Sequence, residues 1–320
     1  MKYVGLQQQI SSNNKKSILL LMAFPLLVLV MVFIFFFVIN YGEEGPAPID
    51  IVIEQFVNAI PMVLLAVGIW FVIAYFANSA MINSAAKSHS LSRKDNMRVY
   101  NLTENLCMSV GMKMPQLRII EDSALNAFAS GINEKTFTVT LTRGIIDKLD
   151  DDELEGVIAH ELMHIRNSDV KLLIVSIIFV GIFSFIMQVA LRSILYGGMS
   201  SSQKKDDGKG GTAVMILIVI LAALAYFLSI LFKLALSRRR EFMADAGAAE
   251  MTKKPLALAG ALEKISGNHH VDKVKSADVQ QMFIENTPKE GTSSNFIGGL
   301  GSLFSTHPPI EKRIQVLKQF

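Results

Sequence analysis

Apolar residues in this chain gather into four long runs, Ile18–Ile39, Phe56–Ala77, Leu172–Leu191 and Ala213–Phe232, with polar stretches between them. At about 1.5 Å per helical residue the first run spans roughly 33 Å, close to the ~30 Å hydrocarbon core of a bilayer. A cleaved leader would carry a shorter apolar stretch and a small-residue cleavage site. Asn40-Tyr41-Gly42-Glu43-Glu44 follows instead, so a retained helix kinked at Pro25 is expected. Trp70 and Tyr75 stand near one end of the second run as interface anchors. The third run contains Ser176 and Gln188, and the third and fourth are near the minimum spanning length. A buried soluble hairpin is the competing reading for that pair.

Between the second and third runs the pattern changes to that of a mixed α/β unit. Val99, Leu102, Leu106 and Val110 recur at helical spacing over Arg93–Val110, with Gly111 as a stop and Pro115 beyond it. Gln116–Glu121 and Thr136–Leu141 read as short strands, the second alternating Phe137, Val139 and Leu141. A further helix is expected from Asp151 or Asp152, with Glu155 placed for a capping box, running through Leu154, Val157, Ile158, Leu162 and Ile165. Ser266–Thr306 is loop-rich and carries little pattern.

Charge sets the orientation. Lys2, Lys15 and Lys16 precede the first run, and Lys87, Arg93, Lys94 and Arg98 follow the second. Arg238, Arg239 and Arg240 follow the fourth, while Tyr41–Asp50 carries only acids. The excess of Lys and Arg therefore places the N-terminus (1–17), residues 78–171 and residues 233–320 in the cytoplasm. Residues 18–77 form two membrane helices joined by a short acidic external loop, and 172–232 form a membrane hairpin. Its Gly/Ser-rich loop 196–212 reads as a flexible connector, although Lys204, Lys205 and Lys209 there run against the charge rule. With 51% hydrophobic and 18% charged residues the chain is not a disordered one, and a net charge of +3 implies no nucleic-acid partner. The single cysteine, Cys107, excludes an internal disulfide and falls on the apolar side of its helix, as a packed small hydrophobe does.

One segment bears chemistry. His160-Glu161-Leu162-Met163-His164 is an H-E-x-x-H pattern on the expected capped helix. Residues four apart share a helix face, so both imidazoles can reach one ion, and zinc suits two imidazoles plus a carboxylate with a fourth position for water. Glu161 adjoins that position as general base. If the helix continues, His164 lies roughly 12 Å from the start of the third run, and Glu241 lies roughly 13.5 Å beyond the end of the fourth. An antiparallel hairpin would bring Glu241 level with His164 as third ligand; a surface carboxylate paired with an arginine is the alternative. Asp245, one turn on, is either an acid orienting a histidine ligand or a surface residue. His269-His270 and His89 read as loop and linker histidines, and the Asn101-Leu102-Thr103 sequon falls within a helix.

Three stretches together resemble the HtpX-type membrane metalloproteases: Asn126-Ala127-Phe128-Ala129, the H-E-x-x-H segment, and Ser237-Arg238-Arg239-Arg240-Glu241-Phe242-Met243-Ala244-Asp245. Ser305-Thr306-His307-Pro308-Pro309-Ile310-Glu311-Lys312-Arg313-Ile314 adds a fourth. These are zinc endopeptidases of bacterial inner membranes, related to the endopeptidases that process prenylated CAAX proteins. The resemblance implies an α+β, mostly helical fold, in which a zincin-like domain (the H-E-x-x-H helix plus a small mixed sheet) is fused to four transmembrane helices. It implies one Zn2+ per chain on His160, His164 and Glu241, with Glu161 as base and Asp245 behind the ligands. His307 is implied as a group stabilising the oxyanion, with Arg313 its neighbour, although Thr306-His307-Pro308 also reads simply as a helix start. Asn126–Ala129 is implied as an edge strand along which substrate lies. Ser266–Phe304 departs from the family pattern.

The expected activity is cleavage of misfolded or damaged membrane proteins at the cytoplasmic face of the inner membrane. The expected partners are the lipid bilayer, membrane-protein or peptide substrates and membrane-associated quality-control proteins. The rival readings are a prenyl-protein endopeptidase and a non-catalytic membrane scaffold with a structural zinc.

Overall fold

The computed structural model describes residues 6–42, 45–46, 48–197, 216–227, 238–285 and 307–320. The connector at 198–212, the ends of the fourth apolar run and most of the patternless stretch after Ser266 fall outside the described residues. The chain divides into two compact units, one of Met1–Lys15, Ala77–Ile174 and Lys233–Phe320, the other of Lys16–Phe76 and Val175–Phe232.

The second unit is helical. It takes most of α1 (Leu6–Ile39) and α2 (Ile49–Ala85), between which β1 (Tyr41–Gly42) pairs antiparallel with β2 (Gly45–Pro46). Met22–Ile39 and Ile49–Ile73 are long and apolar enough to cross a bilayer, and almost none of either stretch is buried by protein. Among the described residues these are the two helices that qualify. The third apolar run lies within α6 (Asp169–Gly197), and the described part of the fourth is α7 (Ile216–Phe227). Aromatic pairs knit this unit: Phe24 meets Phe183 at 5.2 Å, Phe33 meets Phe56 at 5.4 Å and Trp70 stacks on Phe185 at 5.7 Å between ring centres.

The first unit carries a four-stranded mixed sheet of order β3 (His89–Ser90), β4 (Gln116–Ile120), β6 (Thr138–Thr142), β5 (Ala127–Ser130). β4 and β6 run parallel; the outer pairs β3–β4 and β5–β6 are antiparallel. His89 is thus an edge-strand residue and not part of a linker. Its strand forms because Arg118 on β4 donates to the Ser88 hydroxyl and carbonyl, which fixes the incoming chain.

Asn96 caps α3 (Met97–Ser109), accepting from the Val99 amide, and Gly111 takes φ +63° just past its end. β6 leads through α4 (Arg143–Lys148) into α5 (Asp151–Arg166). α5 starts at Asp151, within the expected bounds, but its cap is Asp150 and the box partner is Glu153, not Glu155. In the acidic run Asp150–Glu153 several cap registers are open, and Asp150 alone has the extended backbone (ψ 179°) that a cap requires.

α5 is the centre of the core. Leu154, Val157, Ile158 and Leu162 are fully buried, and the helix packs between α3, β5, α8 (Arg238–Thr252) and α9 (Pro255–Ser266). α8 approaches so closely that a Cβ on Gly247 would sit 2.3 Å from the end of Met163. The short α10 (Ala277–Gln280) and α11 (Ile310–Leu317) complete the unit. α11 starts at Ile310 with Pro309 at its cap, so His307-Pro308 is the approach to a helix and not its first turn; Thr306 lies outside the described residues.

The H-E-x-x-H helix does not continue into the third apolar run. It ends at Arg166; Asn167 caps it, and Ser168 takes φ 60° before α6 begins at Asp169. A residue in the left-handed region cannot carry helical hydrogen bonding onward, so the straight-rise estimate of the His164 depth does not apply.

Candidate metal centre

His160 and His164 lie one turn apart on the buried face of α5, and their Nε2 atoms are 3.1 Å apart. Glu241, in the first turn of α8, completes a triangle: Oε2 is 3.6 Å from His160 Nε2, and Oε1 is 3.6 Å from His164 Nε2. Four-coordinate zinc with bonds of about 2.0–2.1 Å places its ligand atoms roughly 3.3 Å apart; the two nitrogens are near that spacing, and one atom from each of the three residues lies within 4.8 Å of the others. Glu241 Oε2 is buried, with His160, His307 and Arg313 around it. Two imidazoles and a carboxylate, gathered so closely, are a donor set that fits a metal. Among the described residues it is the one cluster of this kind, and His269 and His270 do not join it.

Behind the triangle lies a buried charge network. Asp245 Oδ1 is 3.0 Å from His160 Nδ1. Arg313, fully buried on α11, grips Asp245 with two bonds, Nε to Oδ2 at 2.9 Å and a terminal nitrogen to Oδ1 at 2.8 Å. It also donates to the Ile284 carbonyl at 3.0 Å and lies 3.5 Å from Glu241 Oε2. His307 Nδ1 sits 3.1 Å from the same Glu241 oxygen, and its Nε2 faces the Gln281 carbonyl at 3.3 Å. Asp169 Oδ2 is 3.2 Å from His164 Nδ1.

The network shapes ionisation. Burial alone would depress His160, but hydrogen bonds with Asp245 and Glu241 outweigh it and push the imidazole up to about 9. Burial would raise Asp245, yet the charge of Arg313 and the bonds from His160 and Arg313 bring it to about 2. Glu241 is likewise held well below the ordinary carboxylate range, burial being outweighed by His307, His164 and His160. Glu161 goes the other way: burial pushes its carboxyl up, against the opposing charges of His160 and His164.

Glu161, His164, Glu241, His307, Ala129 and Ile284 are among the residues lining a cavity of about 40 Å3, room for roughly three waters. Of Asn126–Ala129 only Ala129 lines it, and the four residues do different things. The Asn126 side chain donates to the His269 and Glu285 carbonyls. Thr142 N donates to Asn126 O, so by antiparallel alternation the peptide groups of Ala127 and Ala129 point away from β6. The Ala127 carbonyl is already taken by Ile284 N at 2.8 Å, and Phe128 packs edge-on against Phe283. Ala129 is the edge position that borders the cavity.

Sequence reasoning missed Asp169 and the Gln281–Glu285 wall. The signal for Asp169 was the polar triplet Asn167-Ser168-Asp169 interrupting an otherwise continuous helical pattern. Nothing comparable marks the wall.

Residues 93–320 match the model of peptidase family M48. A protease HtpX homolog of Bacteroides fragilis is 52% identical over 327 residues, covering 100% of both chains. Another, from Tropheryma whipplei, is 35% identical over 258 residues, 81% of this chain and 84% of that one. The crystal structure of S. mikatae Ste24p aligns at a TM-score of 0.48 and 19% identity, covering 89% of this chain and 62% of that one, a likeness too distant to bear on function. The family match over more than two thirds of the chain, together with full-length identity to a protease homologue, places it: the chain belongs to peptidase family M48, a family of metalloproteases.

Proposed function

We propose that the chain is a zinc-dependent endopeptidase integral to the bacterial inner membrane, cleaving misfolded or damaged membrane proteins on the cytoplasmic side. His160, His164 and Glu241 would hold one zinc ion per chain. The observation that carries this reading is the convergence of three ligand atoms within 4.8 Å of one another in a cavity that also contains Glu161. Zinc bound there would supply Lewis acidity, which makes water a better nucleophile at neutral pH and a scissile carbonyl a better electrophile.

The chain's own residues do the rest. Glu161 takes the proton of the attacking water and passes it to the amine nitrogen that leaves; its burial raises its basicity towards that of a working base. Asp245 accepts from His160 Nδ1 and leaves Nε2 aimed at the ion, while Arg313 holds Asp245 in place. His307, on the cavity wall, offsets the negative charge that develops on the carbonyl oxygen. The Ala129 edge receives the substrate backbone as an added strand. The two apolar helices support a membrane location, and the basic flanks support a cytoplasmic site.

The test is cleavage of a membrane protein by detergent-purified wild type and Glu161→Gln, with zinc analysis of both. Retained zinc with abolished cleavage is expected in the variant. Zinc loss in parallel with activity would make Glu161 a ligand and overturn the assignment.

A further inference from the structure

We propose that Asp169 is a positioning residue for His164, an inference that rests on the zinc reading above. Each histidine of the cluster has a carboxylate on its far nitrogen. For His160 it is Asp245, 3.0 Å from Nδ1; for His164 it is Asp169, 3.2 Å from Nδ1. An acceptor at Nδ1 keeps the proton there and leaves the Nε2 lone pair for the metal. The Asp169 side chain is 3% exposed, so it is spent on an internal contact and not on solvent.

The local fold explains how an acid five residues on can reach back. Had α5 continued, position 169 would fall more than a full turn past His164, with its side chain off to one flank. The left-handed residue Ser168, at φ 60°, breaks the helix and leaves the Asp169 carboxylate within 3.2 Å of the imidazole. A non-glycine residue in that region is strained, which implies a compensating interaction nearby. The turn is also tied to the other ligand helix: Arg240, the neighbour of Glu241, donates to the Asp169 carbonyl at 3.1 Å. His164, its orienting acid and the helix carrying Glu241 are therefore joined in one short chain of contacts.

Asp169 also opens α6, where an acid is favourable at a helix N-terminus for purely structural reasons. The two roles separate experimentally. Asp169→Ala and Asp169→Asn are made in the full chain on a Glu161→Gln background, which blocks self-cleavage. Zinc affinity is read by competition with a chromophoric chelator, and thermal unfolding is read on the metal-free protein. Asp169→Ala is expected to weaken zinc binding about 10–100-fold. Asp169→Asn, which keeps an acceptor oxygen without the charge, is expected to restore part of that loss, with metal-free unfolding little changed in either variant.

Parental zinc affinity in both variants, with or without a drop in metal-free stability, would return Asp169 to the helix-end role and overturn the proposal. If Asp169→Ala fails to fold, Asp169→Asn decides by the same criterion. Should the Glu161→Gln parent bind no zinc, the proposed function itself falls, and this inference with it.

Discussion

Arg313→Met should destabilise the first unit severely, by an amount the structure sets. The Arg313 and Asp245 side chains are 0% and 1% exposed, and they share two short bonds of 2.9 and 2.8 Å. Methionine fills much of the volume of the arginine stem but leaves the Asp245 carboxylate and the Ile284 carbonyl without the guanidinium. Removing one partner of a buried ion pair costs about 3–5 kcal/mol, because the remaining charge stays desolvated. For a unit of ~200 residues that corresponds to a fall of about 6–20 °C in unfolding midpoint.

The assay is thermal unfolding of the detergent-solubilised, metal-free protein, which removes any contribution from zinc. The double variant Asp245→Asn/Arg313→Met should lose less than the sum of the two single variants, since neither member of this pair is left charged without the other. Arg313→Lys should fall between, keeping the charge but losing the two-pronged geometry. A midpoint shift below about 2 °C for Arg313→Met, or strict additivity in the double variant, would refute the argument that this pair is tightly coupled.

Glu241→Ala should leave two imidazoles and no carboxylate, so purified protein should carry almost no zinc; a full complement of metal would return Glu241 to the role of a surface acid. Gly144→Ala should be worse tolerated than Gly247→Ala. A Cβ at 144 would meet the Ser123 carbonyl at 2.1 Å, which is backbone, whereas at 247 it meets the flexible end of Met163. Overpacking of the first kind costs about 1–3 kcal/mol or more, and equal unfolding midpoints would contradict it. Burial pushes the Cys107 thiol up to about 11 from 9.0, which makes its thiolate at pH 8 about 100-fold scarcer. Iodoacetamide should therefore label the native protein slowly and the unfolded protein fast, and native labelling at the unfolded rate would place the thiol in solvent.

The parts of the site written in local spacing were readable from sequence. His160 and His164 share a face because helical geometry fixes positions four apart. Glu241 was reached by measuring along two apolar runs, and it does join the pair, although the straight-helix measure from His164 fails at Ser168. What sequence did not give was decided by long-range contact or by single backbone angles. The polar triplet Asn167-Ser168-Asp169 interrupts the apolar pattern between α5 and the third run, but it does not show the left-handed residue at Ser168 or the return of Asp169 to His164. The two residues of β3 carry no pattern and become a strand only by pairing with Arg118 and Ile119. The resemblance pointed to Asn126–Ala129 as an edge, and the strand is at the sheet edge. The hydrogen bond from Ile284 to Ala127 depends on a segment 157 residues away that no local signal announces.

The most direct test of the central claim is zinc K-edge X-ray absorption on zinc-loaded Glu161→Gln protein. The account predicts one zinc per chain with nitrogen and oxygen ligands at about 2.0–2.1 Å and outer-shell scattering from two imidazoles. Glu241→Ala on the same background should bind too little zinc to give such a spectrum. A spectrum with two imidazoles that persists unchanged without Glu241, or a shell containing a single imidazole, would contradict a centre built from His160, His164 and Glu241.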